Sequence, residues 1–113
     1  MNVRRLAKNL DLEVDDFLKL LELFIEATLS DLAELHEAIR QGRPHQVAQC
    51  AHSIKGAASN FGFDQIYERA KTLEANARGG TLEGSGEAAG FIKELLDGVR
   101  AALEDYRRHG PGL

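Results

Sequence analysis

A histidine, a lysine and a glycine stand close together in the stretch AHSIKGAASNFGF, residues 51–63. His52 and Lys55 are three residues apart, so on a helix their side chains lie one turn from each other. An imidazole with a free ring nitrogen is a nucleophile, and a lysine ammonium attracts the anion that it would attack. Gly56 is unusual within a helix, because glycine costs about 1 kcal/mol there relative to alanine. Its missing side chain predicts a space beside the ring for a bulky reactant or a partner's surface.

A helical wheel predicts which way these side chains point. Apolar residues from Val47 to Phe61 recur at spacings of three and four, which makes this stripe the core face of the helix. His52 lies about 140° from the stripe, so we expect it to face solvent. His45 and three small residues point within about 40° of the same direction. With Gln49, the small residues predict a docking surface formed by Ala48, Gln49, Gly56 and Ser59.

A carboxylate on the following helix is predicted to lie level with the histidine. His52 and Glu74 are equally far in sequence from residue 63, which falls in a short turn between two helices. Each lies about 16 Å from the turn at 1.5 Å per residue. A carboxylate at that position accepts the Nδ1 proton of the imidazole, and this tautomer leaves a lone pair on Nε2. The pair therefore predicts an oriented nucleophile.

Four long amphipathic helices must position these groups. Turn signals separate them: Gly42 and Pro44 in QGRP, the FGFD stretch, and the glycine-rich GGTLEGSGE of residues 79–87. Asp64 is predicted to cap the third long helix and Ser85 the fourth. The core residues of the first are expected to be Phe17, Leu21, Phe24, Thr28, Leu32, Leu35 and Ile39, and those of the last Ile92, Leu95, Val99, Ala102 or Leu103, and Tyr106. The predicted long helices span residues 14–40, 44–60, 64–78 and 86–108.

Short connections make these helices antiparallel neighbours, so the sequence predicts an all-α fold, an antiparallel four-helix bundle. A short extra N-terminal helix over residues 2–9 is expected to pack over one end. We expect a single domain over residues 1–113, with the core bundle at about 12–108.

Composition limits the classes of function. The 113 residues are 43% hydrophobic and 28% charged, and 14 basic against 18 acidic residues give a net charge of −4. This negative balance disfavours nucleic acid as a partner. The sequence contains no run of about 18 apolar residues, so we do not expect it to insert into a membrane. Cys50 is alone, so it forms no internal disulfide; we expect it to be a small buried residue in a cytoplasmic protein.

No cofactor or metal site is predicted. His36, His45 and His109 have no neighbours of matching chemistry, and we interpret each as a surface residue. The carboxylate and histidine pattern of di-metal bundles is missing, as is a phosphate-binding Gly-x-x-x-x-Gly-Lys-Ser/Thr loop. We therefore expect no ATP-dependent enzyme activity in this chain.

These motifs resemble those of histidine-containing phosphotransfer (Hpt) domains of bacterial multistep phosphorelays. The resemblance lies in AHSIKGAASNFG, with Gly62 as its second glycine, in LEANARGG, and in the upstream FIEATLSDLAELHEAIRQG, and it extends over about residues 10–108. It implies that His52 is phosphorylated, that Lys55 and Gly56 are its motif partners, and that Glu74 stands where the family has a Gln or Glu that bonds the imidazole. Arg43 and Pro44 depart from the Gly-Asp of many members.

The resemblance implies a phosphorelay intermediate. His52 would accept a phosphoryl group from a receiver-domain aspartate and pass it to another, with Lys55 softening the charge and Mg²⁺ supplied by the receiver. The expected partners are response-regulator receiver domains and a hybrid sensor kinase, and the chain is expected to act as a monomer. Two alternatives stay open: the phosphorylated N-terminal domain of a chemotaxis-type histidine kinase, and a helical adaptor that carries no phosphate.

Overall fold

The computed structural model describes residues 1–110 as a bundle of α-helices. It confirms the all-α fold and the short N-terminal helix; residues 111–113 of the predicted domain lie outside the described residues. The bundle is elongated, 47 × 23 × 17 Å. The helices are α1 (Val3–Asn9), α2 (Val14–Arg40), α3 (Pro44–Phe61), α4 (Asp64–Arg78) and α5 (Ser85–His109).

Apolar stripes at helical spacing form the core between the four long helices. The predicted residues of α2 from Phe17 to Leu35 are buried, and Ile39 is half-buried. The predicted stripe of α3 is also in the core, although Phe61 is half-buried. Helix α4 buries Ile66, Ala70, Leu73 and Ala77.

In α5, Ile92 and Leu103 are buried as predicted, whereas Leu95, Val99 and Tyr106 are only partly buried. Leu96, which was not predicted, is buried. Leu95 packs against the core and lines a groove with α1, so apolar spacing alone did not rank the two leucines.

Four phenylalanines close the end of the bundle where α3 turns into α4. The ring of Phe61 lies 5.0 Å from that of Phe24 and 6.0 Å from that of Phe17, measured between centroids. Phe63 stacks on Phe61 at 5.6 Å. Rings at these distances attract one another beyond the apolar area they bury. The cluster therefore fixes the turn between α3 and α4 against α2.

The turn itself depends on Gly62. This residue has φ of 71°, the left-handed region that favours glycine. Its N–H donates to the carbonyl of Ser59 at 3.2 Å, and the N–H of Phe63 donates to that of Ala58 at 3.0 Å. These two bonds are those of a Schellman motif, which ends a helix in a tight reversal. As a result α4 runs back along α3.

Two of the predicted helix caps are wrong. Asp64 is the first residue of α4, and Phe63 occupies the cap position. The reason is that the turn at Gly62 is tight, so the helix begins two residues after that glycine. The carboxylate of Asp64 still lies in the first turn, where the helix dipole favours it. Ser85 is likewise the first residue of α5, after Gly84 in a left-handed conformation, and its hydroxyl is buried without a hydrogen-bond partner.

The short helix α1 packs over one end of the bundle, as predicted. The side chain of Asn2 caps it by accepting the N–H of Arg5 at 3.0 Å. Val3 and Ala7 are buried, and the helix lines a groove with Phe63 and the C-terminal part of α5. Within residues 1–110, no helix combines the length and the apolar character that crossing a membrane requires.

Candidate functional site

His52 lies on the outer side of α3, near the middle of the bundle. Its neighbours in the chain, Ala51 and Ile54, are buried and anchor the helix, while the His52 side chain is 62% exposed. The helical-wheel prediction of an outward-facing imidazole is therefore confirmed.

Glu74 of α4 lies directly across from the imidazole. His52 Nδ1 is 3.0 Å from Glu74 Oε2. Because a carboxylate only accepts, Nδ1 is the donor, and in the neutral imidazole the lone pair is then on Nε2. Within residues 1–110, Nε2 has no hydrogen-bond partner, so it is open to a reactant from solvent. The structure thus brings together the two residues that the hairpin argument placed at the same level.

The Glu74 carboxylate is buried among cations. Its side chain is only 8% exposed, next to the core residue Leu73. Lys55 Nζ lies 2.7 Å from Oε1, while Arg78 Nε and Nη2 lie 3.0 and 2.6 Å from Oε2. The hydrogen bond from Lys55, aided by those from Arg78 and His52, lowers the pKa of Glu74 to about 2 against the opposing effect of burial. Glu74 is therefore a carboxylate whenever the protein works near neutral pH.

The ammonium of Lys55 bonds to Glu74, the partner of His52. The sequence predicts that this ammonium attracts an anion arriving at the ring; the structure adds its bond to Glu74 Oε1 and leaves the Lys55 side chain 25% exposed. It lies beside the imidazole through their common partner. Lys55 therefore fixes the carboxylate that orients His52.

Arg78 was not assigned a role from the sequence. It follows Glu74 by four residues on α4, the spacing at which oppositely charged side chains meet on a helix. That spacing, in LEANARGG, was the available signal. Its guanidinium and the imidazole share one oxygen of Glu74, so Arg78 belongs to the site.

The predicted docking surface is partly present. Gly56, Ser59 and Gln49 are exposed, and a Cβ added at Gly56 would meet no atom within 4 Å. No part of residues 1–110 therefore requires a glycine at position 56 for packing. Ala48 is a wrong prediction, because it is 1% exposed. Both α2 and α4 pack on α3, and the buried arc of the helix is consequently wider than its apolar stripe.

The α2 side of the site is acidic and hydrogen-bonded. Ser53, next to His52, donates to Asp31 Oδ2 at 2.8 Å. Cys50 is buried as predicted, with Sγ 3.9 Å from Glu34 Oε2. Burial, and to a smaller extent the nearby carboxylates, raises the pKa of the Cys50 thiol.

Two exposed leucines on α2 were not singled out in the sequence. Leu20 and Leu23 are 42% and 58% exposed. On a helical wheel Leu20 lies about 20° from Asp31, which bonds Ser53 of α3, whereas Leu23 lies about 80° from it, farther from the core. Leu20 and Leu23 are therefore exposed apolar side chains of α2.

The other histidines lie apart from this arrangement. His36, His45 and His109 are exposed, and His109 approaches Asp105 at 3.6 Å. Among residues 1–110, no group of three or more His, Cys, Asp or Glu side chains is arranged to hold a metal ion.

Comparison with known proteins supplies independent information on the family. The family model of the Hpt domain matches residues 19–102, about three-quarters of the chain. Among solved structures, the fold is similar to that of histidine-containing phosphotransfer protein B (HptB) from Pseudomonas aeruginosa PAO1, with a TM-score of 0.84 and 28% sequence identity. The similarity covers 96% of this chain and 94% of that one. No curated protein matches the chain.

Proposed function

The chain belongs to the Hpt domain family and has a histidine phosphotransfer role in phosphorelays, and from this premise we propose that His52 is the residue that carries the phosphoryl group. The observation that carries the proposal is the 3.0 Å bond between His52 Nδ1 and Glu74 Oε2, which directs the lone pair of Nε2 outward. An imidazole held this way is a nucleophile without any proton having to be removed first.

The proposed reaction moves a phosphoryl group between an aspartate and the imidazole. The Nε2 lone pair forms the N–P bond, while the bond from phosphorus to the aspartyl oxygen breaks and its electrons return to the carboxylate. Nδ1 keeps its proton, and the phosphorylated ring becomes a cation whose charge Glu74 offsets. Passing the group to a second receiver reverses these steps. Mg²⁺ on the receiver would stabilise the transferring phosphoryl group, so this chain needs no cofactor of its own.

Docking is proposed to use the face around His52. Gly56 leaves room beside the ring, and Ser59 and Gln49 are exposed on the same helix. Hpt domains work with receiver domains and kinases in phosphorelays, which are the partners we infer for this face. We infer a transient contact, made by a monomer of this chain, because a relay must release each partner.

Transfer from a phosphorylated receiver tests the assignment. The chain should gain an acid-labile, alkali-stable label when mixed with a labelled receiver, and His52→Gln should abolish it. His45→Gln is the matched control, since His45 is an exposed histidine on the same helix and should leave labelling unchanged. Label that persists on the His52→Gln protein would overturn the proposal.

The role of Glu74 is tested separately. Glu74→Ala should slow transfer while the bundle stays folded, because it frees the ring to rotate. Glu68→Ala, at an exposed position on α4, is the control and should transfer at the normal rate. An unchanged rate for Glu74→Ala would remove Glu74 from the mechanism.

The same experiments separate the alternatives. Labelling by a kinase catalytic domain with ATP, and not by a receiver, would favour the chemotaxis-type kinase domain. A helical adaptor predicts that no label forms and that His52→Gln leaves signalling through the partner unchanged.

A further inference from the structure

Arg78 and His52 compete for one oxygen atom. Oε2 of Glu74 accepts from His52 Nδ1 at 3.0 Å and from Arg78 Nε and Nη2 at 3.0 and 2.6 Å. Lys55 occupies the other oxygen at 2.7 Å, so the guanidinium does not fork across both carboxylate oxygens. The positive charge of Arg78 therefore lies within about 6 Å of Nδ1, close enough for a direct electrostatic effect on that N–H.

The N–H at Nδ1 decides how readily a phosphorylated ring loses its phosphoryl group. With Nδ1 protonated, a nucleophile attacks phosphorus, the N–P electrons return to Nε2, and a neutral imidazole departs. Without that proton the leaving group would be an imidazole anion, which is far poorer. A carboxylate beside Nδ1 favours the protonated, reactive ring, and a cation beside the carboxylate opposes this.

We propose that Arg78 is a positioning residue that lengthens the lifetime of the phosphorylated His52 by weakening the hold of Glu74 on the Nδ1 proton. The proposal rests on His52 being the phosphorylated residue. It goes further by giving the chain a built-in control over how long the phosphoryl group survives when no receiver is bound. The reaction restrained is hydrolysis: water attacks phosphorus, the N–P bond breaks toward Nε2, and a proton from water is released to solvent.

The charges around Nδ1 leave Arg78 as the one suited to this control. On α3, Lys55 is largely withdrawn from solvent and bonded to Oε1. On α2, Asp31 accepts the hydroxyl of Ser53 at 2.8 Å, and within residues 1–110 it forms no ion pair with His52. Helix α5 contributes no ion pair to Glu74 within residues 1–110. Among the cations of residues 1–110 that bond Glu74, Arg78 combines a bond to Oε2 with a side chain that is 54% exposed and thus free to be replaced without disturbing the core.

The lifetime of the phosphorylated protein as a function of pH tests the proposal. The full chain is phosphorylated with phosphoramidate, from which Nε2 displaces ammonia, and loss of the signal is followed by phosphorus NMR between pH 5 and pH 9. In Arg78→Gln, the pH at which the rate of phosphoryl loss is half-maximal should rise by about half a unit. Above that pH, the variant should lose its phosphoryl group about threefold faster than the original protein. These sizes are those expected for removing a half-exposed charge about 6 Å from Nδ1. Arg78→Met, which also removes the charge, should show the same pH profile as Arg78→Gln.

Two further variants keep the result specific. Arg78→Lys retains a charge at the same helical spacing from Glu74 and should return the profile to that of the original protein. Arg100→Gln removes the same charge from an exposed position on α5 and should change nothing. An Arg78→Gln profile equal to that of Arg100→Gln, or an Arg78→Lys profile shifted as far as Arg78→Gln, would overturn the inference. Phosphorylation of the His52→Gln protein at the normal level would instead overturn the proposed function.

Discussion

Replacing Gly56 by alanine should make the protein more stable and less able to exchange a phosphoryl group. Gly56 lies within α3 at ordinary helical dihedral angles, and a Cβ built there meets no atom within 4 Å. The methyl group therefore causes no steric clash in the folded chain. Alanine also has less backbone freedom than glycine in the unfolded chain, so less conformational entropy is lost on folding. We expect a gain of about 1 kcal/mol in the free energy of unfolding, or about 4 °C in Tm.

The same methyl group should obstruct a docked receiver. It would project into the space beside His52 that a partner's surface must enter, and one extra methyl in a close-packed contact costs about 1 kcal/mol or more. Transfer from a phosphorylated receiver should then fall by about fivefold or more in kcat/KM. Phosphorylation by the small donor phosphoramidate should be unchanged, because it needs little of that space.

The assay pairs urea denaturation with single-turnover transfer. Gly98→Ala is the matched control, because Gly98 is also helical and exposed, and a Cβ there also meets nothing within 4 Å. It lies on α5, so it should add similar stability and leave transfer unchanged. The reasoning is refuted if Gly56→Ala transfers as fast as Gly98→Ala, or if it loses stability.

Two more predictions concern ionisable groups. The pKa of Glu74 falls from an ordinary 4.5 to about 2 on folding, so its ion pairs stabilise the protein above pH 4.5 and are lost as pH drops toward 2. Urea unfolding should show Glu74→Gln less stable than the original at pH 6, with the gap shrinking by pH 3; a gap independent of pH contradicts this, and Glu68→Gln is the control. Cys50, buried and with a raised pKa, should react with iodoacetamide at pH 8 much more slowly in the native than in the urea-unfolded chain; equal rates would contradict its burial.

The architecture was predictable because it depends on local signals. The bounds of α2 and α4 follow from apolar periodicity ended by glycine, with Gly42 and Gly80 in left-handed conformation after the two helices. His52 and Glu74 could be predicted to lie at the same level by counting residues on either side of the turn between α3 and α4, since both helices rise by the same amount per residue. These parts of the site depend on spacing along the chain.

The remaining parts depend on packing in three dimensions. The choice of Lys55 and Arg78 as partners of Glu74 reflects which cations reach a carboxylate at the α3–α4 contact, and several nearby residues carried the right charge. Ala48 is small enough to be tolerated on either face, so only the approach of neighbouring helices decides its burial. Caps failed for a similar reason: Asp64 and Ser85 have suitable side chains, but the preceding glycines set where each helix begins.

The Gly62 turn also determines where the chain tolerates a change of length. One residue inserted into α3 or α4 between the turn and the site would advance one partner by 1.5 Å and rotate it by about 100° around its helix. The carboxylate would then leave the ring even though both side chains were intact. Insertions in the loop between α4 and α5, residues 79–84, lie beyond Glu74. They change neither the position of His52 and Glu74 along their helices nor the direction in which the two side chains point. We therefore expect homologous chains to vary in length at that loop and to keep the eleven-residue arms on either side of the α3–α4 turn constant.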